Sequence, residues 1–127
     1  MKIILASKSP RRKELLSLIT PDFEVKVSEV DESLEEGLKI EEQIMKLSYK
    51  KAKTVFNQTD GDRVVIGSDT MVVMNNKIYG KPQDKEDAFN MLKDLSGRKH
   101  EVITGLSILA QKDGKYYEFI DYDITDV

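Results

Sequence analysis

The chain has no cysteine, a single histidine, and no apolar run longer than a short strand. Without thiols it can hold no disulfide, no thiolate metal site and no redox switch. One histidine, His100, cannot build a zinc site, and no Ser-His-Asp or Cys-His arrangement assembles around it, so a structural role is expected for it. Ile3–Ala6 is too short for a signal-peptide core, and nothing approaches membrane-spanning length. A soluble cytoplasmic protein that engages no membrane is expected. Positive charge is not in excess either: the net charge is −3 and the pI about 5.3, which argues against a general nucleic-acid surface. Any anion site must therefore be a local concentration of cations. Neither a Walker A loop nor a dinucleotide glycine pattern is present.

What is present suits one domain spanning 1–127, long enough to bury a core without disulfides or a structural metal. Ile3–Ala6 reads as a strand that turns through Ser7, Lys8 and Ser9 into a helix. Ser9 is a good N-cap, Pro10 suits the first helical position, and Leu15, Leu16 and Ile19 predict a buried face. Phe23–Val27 alternates as a strand should. Ile40, Ile44, Leu47, Ala52 and Val55 follow helical spacing, with Glu41 and Glu42 early and Lys50, Lys51 and Lys53 late, as the helix dipole prefers. Val64–Ile66 reads as a strand buried on both faces that ends at Gly67-Ser68-Asp69-Thr70.

Met71–Met74, Asn75-Asn76 and Lys77–Tyr79 suggest a hairpin. Asp84 predicts the cap of a third helix with Ala88, Met91, Leu92 and Leu95 inward and Gly97 as its stop. Strands His100–Ala110 and Tyr116–Thr125 flank a turn at Asp113-Gly114. The fold class is α/β, a mixed β-sheet with packed helices.

Two arginines in the first turn of the first helix oppose its dipole, by roughly 0.3–1 kcal/mol each. An oxyanion would reverse that penalty, since free N–H groups, the hydroxyls of Ser7 and Ser9, and the guanidiniums of Arg11 and Arg12 would converge on it. A capped helix with two solvated arginines is the plainer alternative. Asp69, just past the carboxyl end of a central strand, is placed where open α/β sheets bind ligands. It can hold a divalent cation or position water, or merely stabilise the next turn. Glu29, Asp31 and Glu32 form an acidic loop that matters only if it folds beside Asp69. Lys51 has no independent claim. Lys81, stiffened before Pro82, reads as a phosphate clamp or a surface turn, and Arg98 as a phosphate contact or a surface cation. Together these residues would equip metal-assisted attack of water on a phosphate.

Ile4-Leu5-Ala6-Ser7-x-Ser9-Pro10-Arg11-Arg12-x-Glu14-Leu15-Leu16 resembles the opening signature of the Maf family of nucleoside triphosphate pyrophosphatases, also called septum-formation inhibitor proteins. Leu47-x-x-x-Lys51-Ala52, Gly67-Ser68-Asp69-Thr70, and Gly80-Lys81-Pro82 through Leu95-Ser96-Gly97-Arg98-x-His100-x-Val102-x-Thr104-Gly105 match the family in order, over essentially the whole chain. The resemblance implies an inosine-triphosphate-pyrophosphatase-like fold with a deep cleft. It also implies hydrolysis of a nucleoside triphosphate to the monophosphate and pyrophosphate with Mg²⁺ or Mn²⁺.

Carried over to this chain, Ser7, Ser9, Arg11 and Arg12 would bind the triphosphate. Glu32 and Asp69 would hold the metal and orient water, with Asp69 the base, while Lys51 and Lys81 would steady phosphate charge. The Leu95–His100 segment resembles the subgroup acting on dTTP and UTP. Family members continue beyond the position of Val127, so a truncated fold is expected, with a catalytically impaired nucleotide-binding or regulatory fragment as the alternative. A sheet edge left open by a strand ending there would favour self-association, the homodimer included.

Overall fold

The computed structural model describes residues 1–31, 37–74, 77–79 and 84–126. In chain order the elements are β1 (Lys2–Leu5), α1 (Pro10–Ile19), β2 (Glu24–Val25), α2 (Ile40–Asn57), β3 (Arg63–Met74), β4 (Lys77–Tyr79), α3 (Lys85–Leu95), β5 (Glu101–Lys112) and β6 (Lys115–Asp126). The strands form one sheet in the order β2-β1-β3-β5-β6, with β4 added to β3. β1 runs parallel to both β2 and β3, and the remaining pairs are antiparallel. The expected mixed sheet is therefore observed.

The strand expected to end at Ile66 continues to Met74. Local sequence could not reveal this, because the continuation is held by a long ladder with β5, from Arg63↔Gln111 to Val73↔Glu101. On its other edge β3 is paired twice, by β1 as far as Ile66 and by β4 from Val72 onward. Residues 67–71 lie between those two partners. Asp69 is thus in mid-strand, yet it lies just beyond the point where the parallel pairing stops.

α2 covers one face of the sheet. Ile44, Leu47, Ala52, Val55 and Phe56 bury against Ile4, Val65, Met71, Val73, Ile103 and Leu109 in two adjoining clusters. The opposite face is less covered, with Val64, Ile66, Leu106 and Ile108 only half-buried, so the expectation of burial on both faces of Val64–Ile66 does not hold. The final hairpin turns as expected. Asp113 and Gly114 both take positive φ, 52° and 78°, as a two-residue turn matched to strand twist requires. β6 is exposed on both faces apart from Ile120.

Three further expectations are corrected. α1 buries none of its residues: Leu15 and Ile19 are exposed and Leu16 is half-buried. The helix is held by its amino-terminal turn rather than by an apolar face. Of Phe23–Val27 only Glu24–Val25 forms a strand, because β1 ends at Leu5 and leaves the ladder no partner beyond one bond from Lys26 N to Leu5 O. In α3, Leu92 is exposed while Ala88, Met91 and Leu95 are half-buried. Its cap is as read: Asp84 Oδ1 accepts from Asp87 N at 2.8 Å, and Gly97 follows at φ 71°. Asp84→Ala is expected to cost about 1 kcal/mol of local stability, read as faster amide exchange across α3 than across β3.

Candidate active site

The gap in the edge of β3 opens into a cleft of about 850 Å³. Its walls are the β1–α1 turn, segment 27–30, α2 at Leu47 and Lys51, residues 69–72 of β3, and β4 at Ile78 and Tyr79. The turn is built by its serines. Ser7 Oγ accepts from Ser9 N at 3.2 Å, and Ser9 Oγ accepts from Arg12 N at 3.3 Å to cap α1.

Arg12 folds back from the first turn into the gap. Its Nη1 donates to Ser7 Oγ at 3.3 Å and to the Ser68 carbonyl at 3.2 Å, and its Nη2 donates to Thr70 Oγ1 at 2.6 Å. The guanidinium therefore fills part of the space where β3 has no strand partner, and it ties α1 to the sheet. Burial lowers its pKa, while the charge on Asp69 acts to raise it. An arginine so placed stays charged at physiological pH and is attracted to a carboxylate in the same cleft.

On the α2 side, Lys51 Nζ stands 3.3 Å from Asp69 Oδ2. The other oxygen, Oδ1, accepts from Thr70 N at 3.0 Å. One oxygen of Asp69 thus braces the local backbone, as the turn-stabilising reading expects, and the other faces the Lys51 ammonium. Both side chains are about one-fifth exposed (20% and 18%), so the pair is reachable by water.

The structure brings together Ser7, Ser9, Arg12, Lys51 and Asp69 from the residues singled out in the sequence. Arg11 is not among them; it is exposed and off the cleft wall, because consecutive helical residues point about 100° apart and Arg12 takes the inward direction. Glu32 and Lys81 lie outside the described residues. Of the acidic residues Glu29, Asp31 and Glu32, Glu29 lines the cleft that Asp69 also lines, and Asp31 does not. Arg98 is exposed, and its carbonyl oxygen lies 3.2 Å from His100 Nδ1.

Among the described residues no group of three or more metal-type side chains occurs. The cleft nevertheless offers hard oxygen donors, the carboxylates of Asp69 and Glu29 beside serine and threonine hydroxyls. That set fits a small divalent cation bound through one or two carboxylates and completed by substrate phosphates, not an all-protein cage.

Sequence reading assigned nothing to Thr70 or to the Ser68 carbonyl. The signal available was alternation: Asp69 and Thr70 are neighbours on one strand and so face opposite sides of it, one toward α2 and the other toward α1.

The sequence profile of the family described as Maf-like protein matches residues 2–127. Among curated proteins, the dTTP/UTP pyrophosphatase of Thermoanaerobacter sp. (strain X514) is 48% identical over 127 residues, covering 100% of this chain and 65% of the relative. The dTTP/UTP pyrophosphatase of Clostridioides difficile (strain 630) is 46% identical over 127 residues, covering 100% and 64%. The chain thus spans about 65% of the length of the curated relatives it matches. Among solved structures, the nucleoside-triphosphatase / dITP/XTP pyrophosphatase of Mycobacterium abscessus aligns with a TM-score of 0.55 at 19% identity, over 99% of this chain and 73% of that one. A HAM1 protein from Coxiella burnetii aligns at 0.54 and 16%, over 99% and 71%. At these identities the likeness is one of fold, and it is the fold that the resemblance implied. No helix among the described residues is long and apolar enough to cross a membrane.

Proposed function

Because the chain belongs to the Maf-like protein family, we propose that it hydrolyses nucleoside triphosphates, dTTP and UTP first among them, to the nucleoside monophosphate and pyrophosphate. The observation that carries this reading is the Lys51–Asp69 pair facing, within one cleft, the hydroxyl and guanidinium groups at the start of α1. A triphosphate needs several cationic and N–H donors to offset its charge, and the β1–α1 turn supplies them through Ser7, Ser9 and Arg12. Arg11, at the same helix start but off the cleft wall, adds positive charge to that end of the helix. Asp69 Oδ2 takes a proton from the attacking water, whose oxygen bonds to the α-phosphorus as the bond to the bridging oxygen breaks and pyrophosphate leaves. Lys51, and Lys81 by its place in the family pattern, offset the charge that builds on the phosphate oxygens.

Asp69, and Glu32 by its place in the family pattern, would hold Mg²⁺ or Mn²⁺, which would neutralise phosphate charge and polarise the phosphoryl group. The bridge from Arg12 to Ser68 and Thr70 keeps the phosphate-binding turn at a fixed place relative to Asp69, so that orientation is prepared before the substrate arrives.

Product analysis tests the proposal. With dTTP and Mg²⁺ the expected products are dTMP and pyrophosphate in equal amounts. Release of orthophosphate, or saturable binding with no turnover, would overturn it.

A further inference from the structure

β5 contributes no wall to the cleft, yet its residue Gly105 lies directly across the sheet from Asp69. A Cβ at Gly105 would stand 2.6 Å from the Ile44 carbonyl oxygen and 2.9 Å from its carbon. A Cβ at Gly67 would stand 2.5 Å from the Ser48 carbonyl oxygen and 2.8 Å from Ala52 Cβ. Neither glycine has positive φ, so what both positions require is space. Ile44, Ser48 and Ala52 recur every fourth residue and form the stripe of α2 that lies on these glycines. Alongside, the buried hydroxyls of Ser48 and Ser107 meet at 2.7 Å, and Ser107 is the cross-strand partner of Gly67. The backbone of α2 therefore rests directly on the sheet, and Lys51, next to Ala52, reaches Asp69 from that seat.

We propose that Gly105, together with Gly67, is a positioning residue that seats α2 at backbone contact on β3 and β5 and so sets the pairing of Lys51 with Asp69. The consequence for turnover rests on the catalytic reading of Asp69 given above; the consequence for the pair itself does not. A methyl at 105 would meet a helix backbone that cannot rotate away. α2 would have to lift until the 2.6 Å approach reached ordinary contact at 3.4 Å or more. The groups expected to grip the triphosphate, Ser7, Ser9 and Arg12, are carried by the β1–α1 turn and α1 rather than by α2, so the displacement falls first on Lys51.

The test uses the full chain and two readouts. The first is the coupling between Lys51→Met and Asp69→Asn in the folding equilibrium, obtained by denaturant unfolding in the parent and in a Gly105→Ala background. General destabilisation does not move this coupling. A few-fold coupling in the parent that vanishes with Gly105→Ala is expected. The second is dTTP turnover per folded molecule, where kcat is expected to fall at least tenfold with KM changed less than twofold.

Absence of coupling in the parent, or its full retention in Gly105→Ala, overturns the proposal. If Gly105→Ala does not fold, Ser107→Ala decides, since it loosens the same seat without added bulk and leaves Ser48 Oγ its bond to the Met45 carbonyl. Undiminished coupling in that variant overturns the proposal equally. A parent that shows the coupling but no turnover refutes the catalytic reading while upholding the seating of α2.

Discussion

Asp69→Asn is expected to lower dTTP turnover by about 10²-fold or more, the scale of a positioned general base, with the fold unchanged. The substitution is informative because the two oxygens of Asp69 do different work. Oδ1 accepts from Thr70 N, and an asparagine oxygen can keep that bond and the local course of β3. Oδ2 faces Lys51, and there the amide carries neither the charge nor the basicity to take a proton from water. The cost in stability is confined to a partly exposed ion pair, about 0–1 kcal/mol. Turnover and melting temperature measured on one preparation separate the two effects. A variant with the parent's kcat would remove Asp69 from the mechanism, and a large loss of melting temperature would make the bracing of Thr70 its main role.

α2 was legible because two signals agreed on it: apolar residues at helical spacing and charges ordered to suit the dipole. The Asp113-Gly114 turn was legible because few dipeptides tolerate two successive positive φ values. The course of β3 was not, because Gly67-Ser68-Asp69-Thr70 reads locally as a strand terminus and becomes strand only through pairing with residues 104–107, distant in sequence. The burial of α1 was overestimated for a related reason. A helix with apolar residues at the right spacing needs a partner surface, and periodicity does not say whether one is present.

At the candidate site, the residue types and their order pointed to Ser7, Ser9, Arg12, Lys51 and Asp69, which do share a cleft. Their division of labour was hidden. That Arg12 would satisfy β3 between two strand partners follows only from where β1 stops and β4 begins. Gly67 and Gly105 are not legible as packing residues, since the sequence does not show which surface a glycine faces.

Arg12→Ala carries the second large expected effect, and here geometry reverses the sign that the sequence suggested. A cation in the first turn of a helix costs roughly 0.3–1 kcal/mol, so removing it would by itself raise the melting temperature slightly. The guanidinium, however, donates to Ser7 Oγ, the Ser68 carbonyl and Thr70 Oγ1, and the last two belong to the stretch of β3 that lacks a strand partner on the edge shared by β1 and β4. Hydrogen bonds from a charged donor contribute about 1.5–3 kcal/mol net, which exceeds the relief of the dipole. Arg12→Ala should therefore melt below the parent. Its affinity for dTTP should fall by ~1.5–3 kcal/mol, roughly 10- to 150-fold.

Arg12→Lys separates charge from shape. An ammonium on a flexible stem restores the attraction for phosphate, but it is a point donor and cannot reproduce the planar fork that spans Ser7, Ser68 and Thr70. Arg12→Lys should thus recover part of the affinity and little of the stability, with both read by calorimetric titration and thermal unfolding. An Arg12→Ala variant that melts early yet binds dTTP as the parent does would make Arg12 a purely structural tie, and the anion site would then have to rest on Ser7, Ser9 and Arg11.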